Sequence, residues 1–268
     1  MTLDGCGRAT SRSTRRADEG SHVFSTPVED YTHDLFGDDN LQAQLIAIKV
    51  FVAHSRRIED AEAKEIKEIS DRVRSSEDES LIDVHIEALE ASVYSGAAHS
   101  AALVGILAPF VENLFTGIFR GIGEKEDDYL GREPKCKRSI YSRQSFWDPH
   151  FTYTKEGVKA GFVEGVMQLA EATRLKERMP SDSRLVLESL FEYRNAMLHN
   201  GFEWPSQRRA AFSKVAAKAN ADWFVCSSIN NEPWIWYMSD IFISRIMAFI
   251  DEVVVAVGEH VKSTYHPT

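Results

Sequence analysis

Apolar residues recur at helical spacing along most of the chain. Leu41, Leu45, Ile48 and Val52, then Ile66, Ile69 and Val73 with charged residues between them, predict an amphipathic helix or a helix pair over residues 41–73. A second long run starts near Ser80, passes Leu81, Val84, Ala88 and Val93, and continues through small residues to about Phe119. Pro109 is expected to kink or divide it, and Gly117, Gly121 and Gly123 to end it. Helical spacing then lapses. Residues 123–155 mix charge with proline and aromatics and are expected to form a long connection. Helix is predicted again over about 155–178, closed by Pro180, and then from a Ser181 cap to about His199, with Asn200 and Gly201 as its stop.

A shorter helix is expected after Pro205, over about 208–219. Two aromatic segments follow, Trp223 to Cys226 and Trp234 to Tyr237, separated by Asn230-Asn231-Glu232-Pro233. This pattern predicts a β-hairpin, the one convincing strand signal in the chain. Ser239 can cap a last helix whose stripe of Phe242, Ile246, Phe249, Val253 and Val257 is spaced for burial. The expected fold is therefore mainly α, with a small hairpin before the last helix. Its expected organisation is a disordered tail over 1–33 and a single helical domain over 34–264, because the tail holds too few apolar side chains to offset the entropy of ordering.

Composition narrows the class of protein. The 268 residues are 43% hydrophobic and 27% charged, ordinary values that exclude fibrous, low-complexity and wholly disordered chains. From Ala91 to Val111 no Asp, Glu, Lys or Arg occurs, long enough to raise a membrane span. The positions taken by Ser92, Ser95, Gly96, His99, Ser100, Gly105 and Pro109 instead predict a close-packed buried helix and no membrane partner. Three scattered cysteines, Cys6, Cys136 and Cys226, support neither a disulfide framework nor a zinc ribbon, and a reduced cytoplasmic setting is expected.

Neither a P-loop, GxGxxG, GxSxG nor HExxH motif is present, and the nine histidines are scattered. No metal or cofactor is expected. The segment that stands out is Tyr193-Arg194-Asn195-Ala196-Met197-Leu198-His199-Asn200, at the end of the helix expected from Ser181. Four Arg–His pairs with a gap of four to six residues occur: Arg15 and Arg16 with His22, Arg143 with His150, and Arg194 with His199. Only the last places Asn directly after Arg, and only it falls on a strongly predicted helix. At about 100° per residue, Glu188, Glu192, Asn195 and His199 share one polar face. Arg194 falls roughly 140° from His199, on the apolar stripe of Leu187, Leu190, Phe191 and Leu198. A guanidinium there must be paired or reach out of the core, since an unpaired buried charge costs several kcal/mol.

Arg194-Asn195 followed by His199 after a gap of four residues resembles the signature of the HEPN superfamily, with a resemblance spanning about 40–263 and firmest over 156–263. The resemblance implies a HEPN-like helical bundle and a metal-independent endoribonuclease in a toxin, defence or RNA-processing role. It further implies a site shared across a homodimer, and a protein inhibitor or antitoxin as a possible partner. In that reading His199 is the general acid or base, Arg194 holds the scissile phosphate, and Asn195 orients the phosphate or the imidazole. The other reading is a non-catalytic HEPN-like module that binds nucleotide, RNA or protein, and a third is a helical scaffold with a coincidental motif. In a purely structural role Arg194 pairs with a carboxylate such as Glu188 or one on a neighbouring helix, and His199 merely hydrogen-bonds near the helix end.

Charge bears on both readings. With 41 acidic and 31 basic residues the net charge is −10, which argues against a broad RNA-coating surface. The bases concentrate locally, however. Lys135, Lys137, Arg138 and Arg143, interleaved with Tyr141 and close to Phe146 and Trp147, form the densest basic-aromatic segment. Phosphate contact with base stacking is what a single-stranded RNA groove needs. A solvated loop balancing the acidic run Glu124 to Asp128 is the alternative. Arg208 and Arg209 follow the motif closely enough to reach the same phosphate, or are ordinary helix-surface charge. Trp223, Trp234 and Trp236 suit a hairpin core better than a stacking platform.

Overall fold

A computed structural model of the protein describes residues 40–75, 78, 80–125 and 146–265. The fold is mainly α, with six α-helices among the described residues. In chain order these are α1 (Leu41–Ser75), α2 (Ser80–Lys125), α3 (Phe162–Ala172), α4 (Ser183–Asn200), α5 (Ser206–Lys218) and α6 (Asp240–Tyr265). Strands β1 (Phe151–Thr154) and β2 (Gly157–Ala160) form one antiparallel hairpin. A second consists of β3 (Phe224–Ile229) and β4 (Glu232–Met238). The described residues fall into two compact units. One comprises 112–125, 146–184 and 248–265; the other comprises 40–75, 78, 80–111 and 185–247. Helices α2, α4 and α6 each lend residues to both.

Several elements depart from the sequence expectation. Helix α2 passes through Pro109 and all three glycines to Lys125. Both Pro109 and Gly105, whose carbonyl loses its helical partner to the proline, lie on the exposed side, where water can satisfy that carbonyl. Gly117 and Gly121 are buried, so packing rather than intrinsic propensity decides the helical state there. Among the described residues α2 is the one helix long and apolar enough to cross a membrane, and most of that apolar window is buried within the protein. The connection expected over 123–155 begins inside α2 and runs through β1 into the turn that follows it, with 126–145 outside the described residues. The helix expected over 155–178 is instead hairpin β1–β2, then α3, then a 3-10 turn at Leu175–Glu177. Helix α4 opens at Ser183 rather than after a Ser181 cap. Residues 1–39, including the expected tail, lie outside the described residues.

In the unit containing α3, the core gathers around Phe115, whose ring centroid lies 6.1 Å from Phe119, 6.4 Å from Phe162 and 6.2 Å from Phe249. Helix α3 docks on β1 through Gln168, whose amide accepts from Tyr153 N–H at 3.0 Å and donates to Tyr153 C=O at 2.9 Å. The side chain thus stands in for a neighbouring strand. Gly165 makes this approach possible: a Cβ there would lie 1.9 Å from the Pro149 carbonyl oxygen. The imidazole of His150 bridges two carboxylates, with Nδ1 2.8 Å from Asp148 and Nε2 3.1 Å from Glu112. His260 is nearly sealed in α6. Burial and the nearby Arg178 guanidinium lower its pKa, against an opposing pull from Glu177.

The other unit is built on α1, the first part of α2, most of α4, α5, the β3–β4 hairpin and the start of α6. Arg56 of α1 clamps the α6 N-terminus, donating from Nε to Asp240 Oδ1 at 3.2 Å and from Nη2 to Ser244 Oγ at 2.6 Å. Ser239 caps α6 as expected, its hydroxyl accepting from Phe242 N–H at 3.2 Å. Asn230 and Asn231 turn the hairpin with φ of 53° and 61°. Positive φ at both central positions defines the turn whose twist matches the strands, and asparagine tolerates it. Trp223 is buried and stacks on Phe242 at 4.7 Å.

Two outcomes test this packing. Gly165→Ala should destabilise by about 1–3 kcal/mol through overpacking, whereas Gly105→Ala, with nothing within 4 Å of the added methyl, should be neutral or slightly stabilising in thermal unfolding. Because the folded state binds a proton at His260 less readily than the unfolded chain, its contribution to stability is full above the ordinary histidine pKa and declines as pH falls through it. The urea midpoint should therefore fall less steeply from neutral pH towards pH 5 in His260→Gln than in the unmodified protein; parallel profiles would contradict this.

Candidate functional site

The Arg-Asn-x-x-x-His segment ends α4, a helix held by one strongly buried face. Val186, Leu187, Leu190, Tyr193 and Ala196 are wholly buried, and Phe191 and Met197 nearly so. One fixed point is the Tyr193 hydroxyl. It donates to the Trp236 carbonyl at 3.1 Å, and burial pushes its pKa far above the ordinary tyrosine value, so it stays a donor. Ser100 of α2 holds the same strand: its Oγ accepts from Met238 N–H at 2.9 Å, and its hydroxyl opposes part of the rise in the Tyr193 pKa. These bonds tie α4 to β4 and β4 to α2, and they hold Tyr193 inward. Around it, the Tyr193 ring meets Trp204, Phe212 and Phe224 at 5.9, 5.9 and 5.6 Å.

With Tyr193 pointing inward, the neighbouring positions have no choice of direction. Glu188, Glu192 and His199 are exposed and Asn195 is half-buried, which makes the polar face open to solvent. Arg194 is half-buried beside Phe191, its guanidinium carbon 5.9 Å from the ring centroid. Leu198 departs from the expected apolar stripe: it is 63% exposed, because the buried face of α4 has turned towards Tyr193, Ala196 and Met197 by its last turn. The helix stops as expected. Gly201 has φ of 68° and its N–H donates to the Met197 carbonyl at 2.9 Å, while the Asn200 side chain donates to the Ala196 carbonyl at 2.7 Å. His199 thus occupies an exposed position in a well-defined last turn.

The remaining sequence candidates are less concentrated. Arg208 is half-buried in the first turn of α5, and Arg209 beside it is half-buried as well. Lys135, Lys137, Arg138 and Arg143 lie outside the described residues. Among the described residues no group of His, Cys, Asp and Glu is arranged to hold a metal ion. The chain matches no family model, curated protein or solved structure.

Sequence reasoning passed over Tyr94 and Glu203. The Tyr94 hydroxyl hydrogen-bonds the Glu203 carboxylate in the connection just after the motif, which raises the tyrosine pKa, and its ring meets Trp234 edge-on at 5.4 Å. Periodicity carried no signal for this contact, since Tyr94 belongs to the small-residue stretch of α2 and Glu203 to a loop.

The two buried hydroxyls should be energetically visible. Tyr193→Phe leaves a buried carbonyl unsatisfied and should cost about 1–3 kcal/mol in urea unfolding, as should Ser100→Ala, which orphans the Met238 N–H. The double variant should cost less than the sum of the two. Strict additivity would show that the two hydroxyls do not act together.

Proposed function

We propose that the protein is HEPN-like and cleaves RNA without a metal ion, using the end of α4. The observation that carries this reading is the split environment of one short segment: His199 is exposed at a capped helix end, while Arg194, five residues earlier, is held half-buried against Phe191. An exposed imidazole is free to exchange protons with a ribose, and a restrained guanidinium is suited to a phosphate whose charge grows in the transition state. The ribose 2′ oxygen attacks phosphorus and the bond to the 5′ oxygen breaks. His199 either takes the proton from the 2′ hydroxyl while water supplies one to the leaving 5′ oxygen, or delivers a proton to the 5′ oxygen while water accepts the one from the 2′ hydroxyl. The products are a 2′,3′-cyclic phosphate and a 5′-hydroxyl end.

The angle between the two side chains bears on assembly. Separated by roughly 140° around α4, Arg194 and His199 do not present one common face. A homodimer bringing two such helix ends together gives a phosphate access to an arginine of one copy and a histidine of the other. Exposed Leu198 and Phe202, either side of His199 and Gly201, supply apolar surface where such copies would meet. A reduced cytoplasmic setting, a toxin, defence or RNA-processing role, and an inhibitor or antitoxin partner fit the same reading.

The test uses purified protein, single-stranded and tRNA-like RNA, and EDTA. Cleavage should persist in EDTA, leave cyclic phosphate ends, and fall at least 100-fold in both His199→Ala and Arg194→Ala, in line with loss of acid–base and electrostatic catalysis. Correctly folded protein that cleaves no RNA would overturn the enzymatic reading in favour of a non-catalytic binding module.

A further inference from the structure

Helix α5 differs in charge from the rest of this acidic protein. Its thirteen residues, SQRRAAFSKVAAK, include Arg208, Arg209, Lys214 and Lys218 and no acid. Among the described residues none of the four forms an ion pair. Phe212 is the residue that buries this helix, and its ring meets Trp236 of β4 at 5.4 Å. At about 100° per residue, Lys214 and Lys218 then fall on the opposite, exposed side, one turn apart or about 6 Å along the axis. Arg208 and Arg209 flank Phe212 and remain half-buried.

What lies beside this helix is aromatic. Trp236 pairs with Cys226 across the hairpin, and a bulge leaves Trp234 without a register partner. Burial pushes the Cys226 thiol pKa up to about 11, against opposing pulls from the Trp234 backbone and the Arg209 charge. Trp234 meets Tyr94, a 36% exposed residue whose hydroxyl is tied to Glu203, four residues after His199. Strand β4 thus touches the basic helix at Trp236 and, two residues earlier, meets Tyr94 at Trp234, and Tyr94 in turn reaches the connection that follows the motif. Glu90 and Glu203 both bear on Tyr94. That end repels phosphate and suits the uncharged face of a base.

We infer that α5 and the Tyr94–Trp234 pair form a binding track for single-stranded RNA that crosses the helix, with backbone phosphates on Arg208 and Arg209 beside the hairpin and on Lys214 and Lys218 over the outer side, and a base stacked on Tyr94. The choice of RNA rests on the function proposed above; the division of labour between cationic helix and aromatic pair rests on the contacts. Aromatic stacking accepts any base but needs it unpaired, so the track selects single strands over duplexes.

Fluorescence anisotropy with a labelled 2′-O-methyl oligouridine, which has no 2′ hydroxyl to react, measures binding apart from cleavage. Lys214→Ala/Lys218→Ala should weaken binding and reduce the slope of log K against log salt by about 1.4, the value for two lost phosphate contacts on a single strand. Tyr94→Ala should weaken it about fivefold or more, and Tyr94→Phe, which keeps the ring, should bind as the unmodified protein does. A duplex of the same length should bind more weakly than the single strand. An unchanged salt slope in the lysine variant, equal binding of duplex, or equal competition by polyglutamate would overturn the inference. Binding with all these dependences but no cleavage of unmodified RNA would count against the catalytic reading alone. Cleavage with α5-independent binding would count against the track alone.

Discussion

The Tyr193 hydroxyl and its partners decide what the end of α4 can do. A phenol buried away from water must place its proton on an acceptor, and here the acceptor is a backbone carbonyl of β4, the strand whose Met238 N–H donates to Ser100 of α2. Three elements far apart in sequence are thereby held to one geometry. Because a helix turns by about 100° per residue, fixing Tyr193 inward also fixes Arg194 at the rim, Asn195 on the open face and His199 in solvent. Gly201 then ends the helix before its direction can drift. The orientation of the candidate chemistry follows from the packing of a residue that takes no part in it.

Much of the fold was legible because burial follows periodicity. The α6 stripe of Phe242, Ile246, Phe249, Val253 and Val257 is wholly buried, and the Asn-Asn hairpin turn forms where its residues indicate. The failures have specific causes. Pro109 did not divide α2, since the carbonyl it orphans lies on the exposed side. Hairpin β1–β2 escaped notice because only Thr152 and Tyr153 of β1 are buried while the rest of the hairpin is open, so no clean alternation marks it. Its stability comes instead from Gln168 and from the close approach permitted at Gly165.

The site was legible in part. Helix phase alone placed Glu188, Glu192, Asn195 and His199 on one outward face. It misjudged Leu198, because apolar spacing does not show that the buried face turns from the Leu187–Phe191 stripe to Tyr193, Ala196 and Met197. It also assigned no role to Ser100 or Tyr94, whose partners are separated from them by about a hundred residues or more. Contacts of that kind join surfaces that sequence spacing treats as unrelated. They are what place an aromatic pair and a basic helix beside the connection that leaves the motif.

The central claim is that RNA meets the protein at His199. Imidazole resonances of all nine histidines can be followed by two-dimensional NMR as unlabelled 2′-O-methyl oligouridine is added to the intact protein. The account predicts that the His199 ring signals shift in step with binding and that those of the nearly sealed His260 do not. Saturating binding that leaves His199 unmoved would contradict it.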